Sequence, residues 1–275
     1  MTPAARLDDL FARLWSDYVA INPQAATIHA LLRARGEAVV NDHIALRTFA
    51  GPELGLDVLA RGFVDLGYVA AGDYRFARKR LRARHYRHPD PARPLVFISE
   101  LEVDRCSPAL AAIVGDLLAQ AAAIPDLRAR WDLAAAGRPW APVARGAYDA
   151  LAEESEYAAW LAAFGLRANH FTVSVDALRT VPSLEALCDL VVGAGIPLSD
   201  AGGVIKGSPA ALLEQASTRA APVEVRFADG PSTVPGCYYE FARRYADADG
   251  QRFTGFIADS ADRLFESTDR RGDVA

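Results

Sequence analysis

The chain has 275 residues, and 51% of them are hydrophobic, so it can bury a substantial core. Its formal net charge of −5 at pH 7 excludes a general electrostatic attraction to nucleic acid or to an anionic membrane, which favours a small-molecule partner. No apolar run approaches the roughly 20 residues that span a bilayer, and the N-terminus lacks a basic region followed by an apolar block. We therefore predict a cytoplasmic protein.

The first 37 residues are predicted to form two helices. Between residues 3 and 21, apolar side chains recur at helical spacing until Asn22 and Pro23 interrupt the pattern. A second helical pattern follows and ends near Gly36. We interpret residues 1–37 as a helical layer that precedes the first sheet.

The next stretch, Asn41–Phe49, places a potential metal ligand and a fixed cation on one face of a predicted strand. Alternate residues of a strand face the same way, so His43 and Arg47 share a face. They are about 13 Å apart at roughly 3.3 Å per residue, and an arginine side chain that leans toward His43 closes about half of that distance. The remaining gap suits a short dicarboxylate bound between a metal ion and Arg47.

Residues 38–105 are predicted to form a first module in the order strand, helix and three strands. Gly51-Pro52 opens the helix, whose apolar residues recur along one face until Gly67 ends it. The later strands are predicted near residues 74–79, 81–88 and 95–103. This βαβββ order is the repeating unit from which a cupped sheet can be built.

Two charged residues of this module are candidates for substrate binding. The stretch from Arg75 to Arg87 could be a nucleic-acid patch, but the even-numbered arginines share one strand face if no turn intervenes, which fits a solvated surface better. Lys79 then lies on the opposite, mostly apolar face and is predicted to line a cavity. Glu100 is a carboxylate in an apolar strand and is predicted to lie in or beside that cavity.

Residues 106–166 are alanine-rich and are predicted to form a helical insertion between two modules. The second module, 167–275, opens with a strand that repeats the first one: a polar residue, a histidine, a bulky apolar residue, a small residue and a branched one. His170 therefore corresponds to His43. A helix follows, and the glycine-rich run at 202–208 is interpreted as a turn that enters a strand.

The second module is completed by strands predicted at residues 212–218, 223–227 and 238–245. The last of these carries Glu240 in the middle of an aromatic run, where burial of a charge is costly unless the charge has a partner. Two histidines and one carboxylate from distant strands are the ingredients of a facial triad. Such a triad leaves positions open on a non-haem iron(II) for a chelating substrate and dioxygen.

Other common site motifs are absent from the sequence. It contains no GxSxG nucleophile elbow, no HExxH helix, no Walker motif and no dinucleotide-binding fingerprint. Its three cysteines lack CxxC spacing, so neither a disulfide framework nor a thiolate zinc site is predicted. The triad is therefore the main chemical hypothesis.

The motifs resemble those of the 2-oxoadipate dioxygenase/decarboxylase family, also called the D-2-hydroxyglutarate synthase family, whose fold is similar to that of the vicinal oxygen chelate enzymes. The resemblance rests on four segments in the same order: NDHIALRTF, ANHFTVSV, GGVIKGS with LLEQAST, and GCYYEFARR. It implies an α+β fold in which two βαβββ modules form a cupped sheet, with N-terminal helices and a helical insertion between the modules.

The resemblance also implies a site and a reaction. His43, His170 and Glu240 would bind Fe(II), which another divalent metal can replace in a purified sample, and Arg47 would hold a substrate carboxylate. The substrates would be dioxygen and a small 2-oxo dicarboxylic acid, 2-oxoadipate above all. The reaction would be oxidative decarboxylation and hydroxylation of the same molecule, which yields 2-hydroxyglutarate and carbon dioxide.

Two alternatives from other classes remain at this stage. The first is a glyoxalase-like, metal-dependent isomerase or lyase, and the second is a non-catalytic binding protein with a structural metal site. A structural site is normally coordinatively closed, whereas three ligands with an arginine nearby indicate open positions. Consumption of dioxygen during turnover separates the oxygenase from the isomerase or lyase.

Overall fold

A computed structural model describes residues 1–257 of the chain. Helices and strands are interspersed along it, and the predicted α+β class is confirmed. In chain order the elements are α1 (Pro3–Ile21), α2 (Pro23–Ala34), β1 (Asn41–Phe49), α3 (Leu56–Asp65), β2 (Val69–Phe76), β3 (Leu81–Arg87), β4 (Leu95–Leu101), α4 (Pro108–Ala122), α5 (Arg145–Glu154), α6 (Glu156–Phe164), β5 (Ala168–Ser174), α7 (Leu184–Gly193), β6 (Lys206–Ser208), β7 (Leu213–Ser217), β8 (Pro222–Phe227), β9 (Gly230–Pro235) and β10 (Glu240–Arg244).

The two predicted N-terminal helices are confirmed as α1 and α2. The buried residues of α1 recur every three or four positions, as expected for a helix with one face on the core: Leu7, Leu10, Leu14 and Tyr18. Helix α2 begins at Pro23, where the missing backbone N–H costs no hydrogen bond and the fixed φ suits a first helical residue. The break predicted at Asn22-Pro23 is thus the boundary between two helices.

The chain forms two compact units, each assembled from separated stretches. The first contains Met1–Tyr18, Ala45–Asn169 and Val223–Val234, and the second contains Val19–Ile44, His170–Pro222 and Pro235–Ala275, of which residues 235–257 are described. Strand β1 contributes residues to both units. The predicted segment boundaries at residues 37, 105 and 166 describe sequence order and stay a prediction.

The first unit contains the predicted βαβββ module. Its strands lie in the order β2-β3-β4-β1, and β3 is antiparallel to both β2 and β4. Helix α3 connects β1 to β2, as the sequence predicted. The insertion is helical, as predicted, and supplies α4, α5 and α6. Residues Leu81, Ala83 and His85 of β3 are buried on one face, while Arg82 and Arg84 alternate with them.

The strand-face prediction for Lys79 is wrong. Residues 77–80 form the turn between β2 and β3, so Lys79 lies on no strand face. Arg80 adopts a φ of 55°, a left-handed conformation that usually marks glycine or asparagine. The parity argument needed an uninterrupted strand, and no typical turn residue announced the interruption. The binding of substrate by Lys79 stays a prediction.

The second unit contains β6, β7, β10 and most of β5. Their order is β1-β5-β10-β7-β6, with residues 41–44 of β1 at one edge of the unit. Strand β10 is parallel to β5 and antiparallel to β7, so that Glu240 lies opposite both Thr172 and Ser217. Because β1, β5 and β10 are consecutive, the strands that carry His43, His170 and Glu240 are neighbours.

The strand predicted at residues 223–227 is confirmed as β8, but its place in the second module is wrong. Strand β8 pairs with β9 in a separate two-stranded sheet. The place in the module is taken by the three-residue β6, which pairs with β7 and lies in the run interpreted as a turn that enters a strand. Gly207 in β6 has a φ of 84°, and a Cβ there would lie 2.1 Å from Leu213 O, so the close pairing requires glycine.

None of the helices within residues 1–257 combines the length and the apolar character needed to cross a bilayer. The cytoplasmic location stays a prediction.

Candidate metal centre

His43, His170 and Glu240 come together in the second unit, as the sequence predicted. One ligand atom from each lies within 4.8 Å of those of the other two. His43 Nε2 is 3.4 Å from His170 Nε2 and 3.3 Å from Glu240 Oε1, and His170 Nε2 is 3.4 Å from Glu240 Oε2. The three residues are 2%, 7% and 1% exposed, so the cluster is shielded from water.

The register of the sheet explains this convergence. His170 and Thr172 are two residues apart on β5 and share a face, and Thr172 lies opposite Glu240 on β10. Thr172 Oγ1 is also 3.1 Å from His43 Nε2, which brings the first histidine to the same place. Tyr238 stacks on His170 with ring centres 4.7 Å apart and limits the movement of that imidazole.

The distances fit three ligands of one metal ion. Two nitrogens about 2.1 Å from a common ion are about 3.0 Å apart at a right angle and about 3.4 Å apart at the tetrahedral angle. The two Nε2 atoms, 3.4 Å apart, fall at the upper end of this range, and each lies 3.3–3.4 Å from a different oxygen of the Glu240 carboxylate. Two imidazoles and one carboxylate are also the donor set of mononuclear non-haem iron sites.

The hydrogen bonding and burial of Glu240 test independently whether a metal ion fits between the three side chains. Its Oε1 accepts a hydrogen bond of 2.6 Å from Gln215 Nε2, but its Oε2 has no hydrogen-bond partner within residues 1–257. Burial raises the pKa of this carboxyl above its ordinary value, although the nearby His43 and the bond from Gln215 lower it in part. A buried carboxylate with an open oxygen is costly, and a divalent cation would supply the missing charge.

Asp42, which the sequence analysis did not identify as a site residue, contacts His43 at the ring nitrogen that is not part of the cluster. Asp42 Oδ1 lies 2.8 Å from His43 Nδ1, and Asp42 is bound in turn by Arg244. Successive residues of a regular strand point to opposite faces, so the parity rule did not pair Asp42 with His43. The available signal was the Asp-His dipeptide itself, because metal-binding histidines commonly donate their second ring N–H to a carboxylate.

Arg47 lies in the first unit, where it is 2% exposed. Its guanidinium carbon is 5.0 Å from the ring centre of Tyr157 and 5.2 Å from that of Trp160. Such cation–π contacts help to compensate a guanidinium for the loss of water. Tyr157 is itself fixed, because its hydroxyl oxygen accepts from Thr48 N and the hydroxyl bonds Ser99. The binding of a substrate carboxylate by Arg47 stays a prediction.

Glu100, predicted as a cavity residue, has a structural role that accounts for its burial. Its Oε2 accepts a bond of 2.6 Å from the backbone N–H of Leu56, the first residue of α3, and its Oε1 is bound by Arg82 Nε. A carboxylate at the start of a helix also interacts favourably with the helix dipole. Both oxygens of this fully buried side chain are therefore engaged within the first unit.

We expect Glu100→Gln to lower the free energy of unfolding by about 1.5–3 kcal/mol, because charge-assisted hydrogen bonds at the start of α3 are weakened. Metal content and the KM for substrate should stay at wild-type values. Urea denaturation, metal analysis and steady-state kinetics measure these quantities. Glu102→Gln, which alters an acid paired with Arg75 and Arg105, is the matched control and should change stability much less. Unchanged stability with a raised KM would instead support the substrate-binding prediction.

Known proteins that are similar to this chain include members of the family that its sequence motifs resemble. A family model described as 2-oxoadipate dioxygenase/decarboxylase matches residues 12–253. The 2-oxoadipate dioxygenase/decarboxylase of Oryza sativa, a chloroplastic/amyloplastic protein, is 34% identical over an alignment of 275 positions that covers 91% of this chain and 75% of the relative.

Two crystal structures are similar to the chain over most of its length. The hydroxyglutarate synthase of Oryza sativa in complex with 2-oxoadipate is 32% identical, with a TM-score of 0.91 and coverage of 98% of this chain and 94% of the other. A protein of Shewanella frigidimarina provisionally named a hydrolase is 48% identical, with a TM-score of 0.86 and coverage of 91% and 97%.

Proposed function

The chain belongs to the 2-oxoadipate dioxygenase/decarboxylase family, and on that premise we propose that it converts 2-oxoadipate and dioxygen to 2-hydroxyglutarate and carbon dioxide at an Fe(II) ion held by His43, His170 and Glu240. The observation that carries the site is the convergence of these three buried ligand atoms within 4.8 Å. The name of the matching family and the 2-oxoadipate bound by the rice hydroxyglutarate synthase support the choice of substrate.

The residues of the chain would have separate roles at the site. His43 and His170 would each supply an imidazole Nε2 atom, and Glu240 would add a carboxylate oxygen that favours a divalent cation. When bound, Fe(II) supplies redox chemistry with dioxygen and open positions for a chelating 2-oxo acid. The planar two-donor fork of Arg47 would bind the second carboxylate of the substrate.

The proposed reaction balances without a further reductant or cosubstrate. The bond between the first carboxyl carbon and the keto carbon breaks, and that carboxyl group leaves as carbon dioxide. One atom of dioxygen enters the new carboxylate formed from the keto carbon, and the other enters the hydroxyl group on the adjacent carbon. The substrate supplies all the electrons that reduce dioxygen, which distinguishes this chemistry from that of an isomerase or lyase.

Labelled dioxygen tests this proposal. Protein loaded with Fe(II) under anaerobic conditions should, on admission of ¹⁸O₂, convert 2-oxoadipate to 2-hydroxyglutarate with labelled oxygen in the hydroxyl group. Oxygen consumption, carbon dioxide release and product formation should be equal, as measured by electrode, trapping and mass spectrometry. Zinc-loaded protein is the control and should be inactive, because Zn²⁺ offers no redox chemistry. Metal-dependent turnover without dioxygen and without label would overturn the proposal in favour of an isomerase or lyase.

A further inference from the structure

A buried ion pair lies directly behind His43. Arg244 donates from Nε to Asp42 Oδ2 at 2.8 Å and from Nη2 to Asp42 Oδ1 at 2.9 Å, and both side chains are 1% exposed. Both oxygens of Asp42 thus accept from Arg244, and the fold holds this carboxylate beside the Nδ1 atom of His43.

A buried ion pair of this kind contributes little net stability to a fold. The cost of removing two charges from water often equals or exceeds their attraction, and an apolar pair of similar volume is commonly as stable. The pair also joins residues 202 positions apart in the sequence, from the start of β1 to the end of β10. Because the pair adds little net stability, a role of Asp42 and Arg244 in orienting His43 is favoured.

Arg244 also fixes a second group against His43. Its Nη1 donates to Gly255 O at 2.7 Å and to Phe253 O at 3.3 Å, which ties the segment after β10 to the ion pair. The same segment carries Phe256, whose ring edge meets the His43 ring with centres 4.8 Å apart at 87°. The Arg244 guanidinium lies 5.1 Å from the centre of the Phe256 ring. Arg244 thus organises two of the contacts that the imidazole makes, those with Asp42 and with Phe256.

We propose that Asp42, Arg244 and Phe256 are positioning residues that hold the metal ligand His43, an inference that rests on the proposed metal site. Asp42 keeps the ring proton on Nδ1, so that the lone pair of Nε2 faces His170 and Glu240. Phe256 opposes rotation of the ring about its χ2 angle. Arg244 holds Asp42 and the Phe256 segment in place, and all these residues belong to the second unit.

Metal affinity of the metal-free protein tests the proposal without reference to turnover. Asp42→Asn should weaken Co²⁺ binding about 10- to 100-fold in a competition titration with a chromophoric chelator. Phe256→Leu should weaken it less and should alter the visible spectrum of bound Co²⁺, which reports the geometry of the ligands. Asp132→Asn is the matched control, because Asp132 is a carboxylate bound by Arg13 and Arg130 and should leave Co²⁺ binding unchanged.

A double variant keeps the test decisive if Asp42→Asn alone is poorly folded. Asp42→Asn with Arg244→Gln replaces the ion pair by two amides, so no unpaired charge is left buried. We expect this protein to unfold at a urea concentration close to that of wild type and still to bind Co²⁺ at least about 10-fold more weakly. Wild-type affinity and spectrum in both the double variant and Phe256→Leu would overturn the positioning role alone. Failure of wild-type protein to bind any metal would overturn the proposed function and this inference with it.

Discussion

His170→Ala protein should remain folded and lose both stoichiometric metal and turnover. Each ligand of a typical structural metal site contributes about 2.5–4 kcal/mol of binding free energy, so removal of one of three raises the Kd about 10²- to 10³-fold. The His170 side chain stacks on the Tyr238 ring, whereas β5 and β10 pair through their backbones, so removal of the side chain leaves the strand pairing intact. Metal analysis after gel filtration and the oxygen-consumption assay measure the two losses.

Glu240→Gln complements this variant because it leaves no cavity. The amide keeps the size of the carboxylate but loses the charge that attracts a divalent cation. His85→Ala is the matched control, since His85 is a buried histidine, 3% exposed, whose Nδ1 is 2.8 Å from the Tyr74 hydroxyl. We expect this control to keep its metal. Full metal content in either His170→Ala or Glu240→Gln would remove that residue from the ligand set.

The convergence of His43, His170 and Glu240 was predictable because its signal is a repeat within regular strands. His43 and His170 occupy the same position in two similar strands, and Glu240 is a charge in an aromatic strand that otherwise reads as buried. Pairing in the sheet then brings the three strands together, and the parity of side chains places them on one face. Strand order is a long-range property, but the repeat of the βαβββ unit made it foreseeable.

The features that were predicted wrongly or not predicted share a physical cause: each departs from regular strand geometry. Lys79 was placed by parity on a strand that ends at Phe76, and the following turn uses Arg80 at positive φ rather than a glycine. Strand β6 has only three residues, too few to show an alternating pattern. The partner of His43 is its neighbour Asp42, and the periodicity of a strand carries no information on such a contact. These contacts depend on local backbone detail and on residues far away in the sequence, such as Arg244.

Arg47→Lys protein should keep its metal and lose most of its activity on a dicarboxylate. A guanidinium offers two parallel donors to a carboxylate and stacks on aromatic faces, whereas an ammonium does neither. Arg47 is enclosed by the Tyr157 and Trp160 rings, which match a flat guanidinium. The loss of about 3 kcal/mol expected for a charge-assisted bond corresponds to about a 10²-fold fall in kcat/KM for 2-oxoadipate.

A second substrate separates carboxylate recognition from a scaffold role. 2-Oxohexanoate has the carbon chain of 2-oxoadipate without the distal carboxylate, so wild-type protein should prefer 2-oxoadipate, and Arg47→Lys should reduce that preference. Arg82→Lys is the matched control, because Arg82 binds Glu100 in the same compact unit, and it should leave the preference unchanged. The ratio of kcat/KM for the two substrates measures the effect. An equal fall on both substrates, or wild-type turnover of 2-oxoadipate, would assign Arg47 to the scaffold, because only a direct contact with the distal carboxylate distinguishes the two molecules.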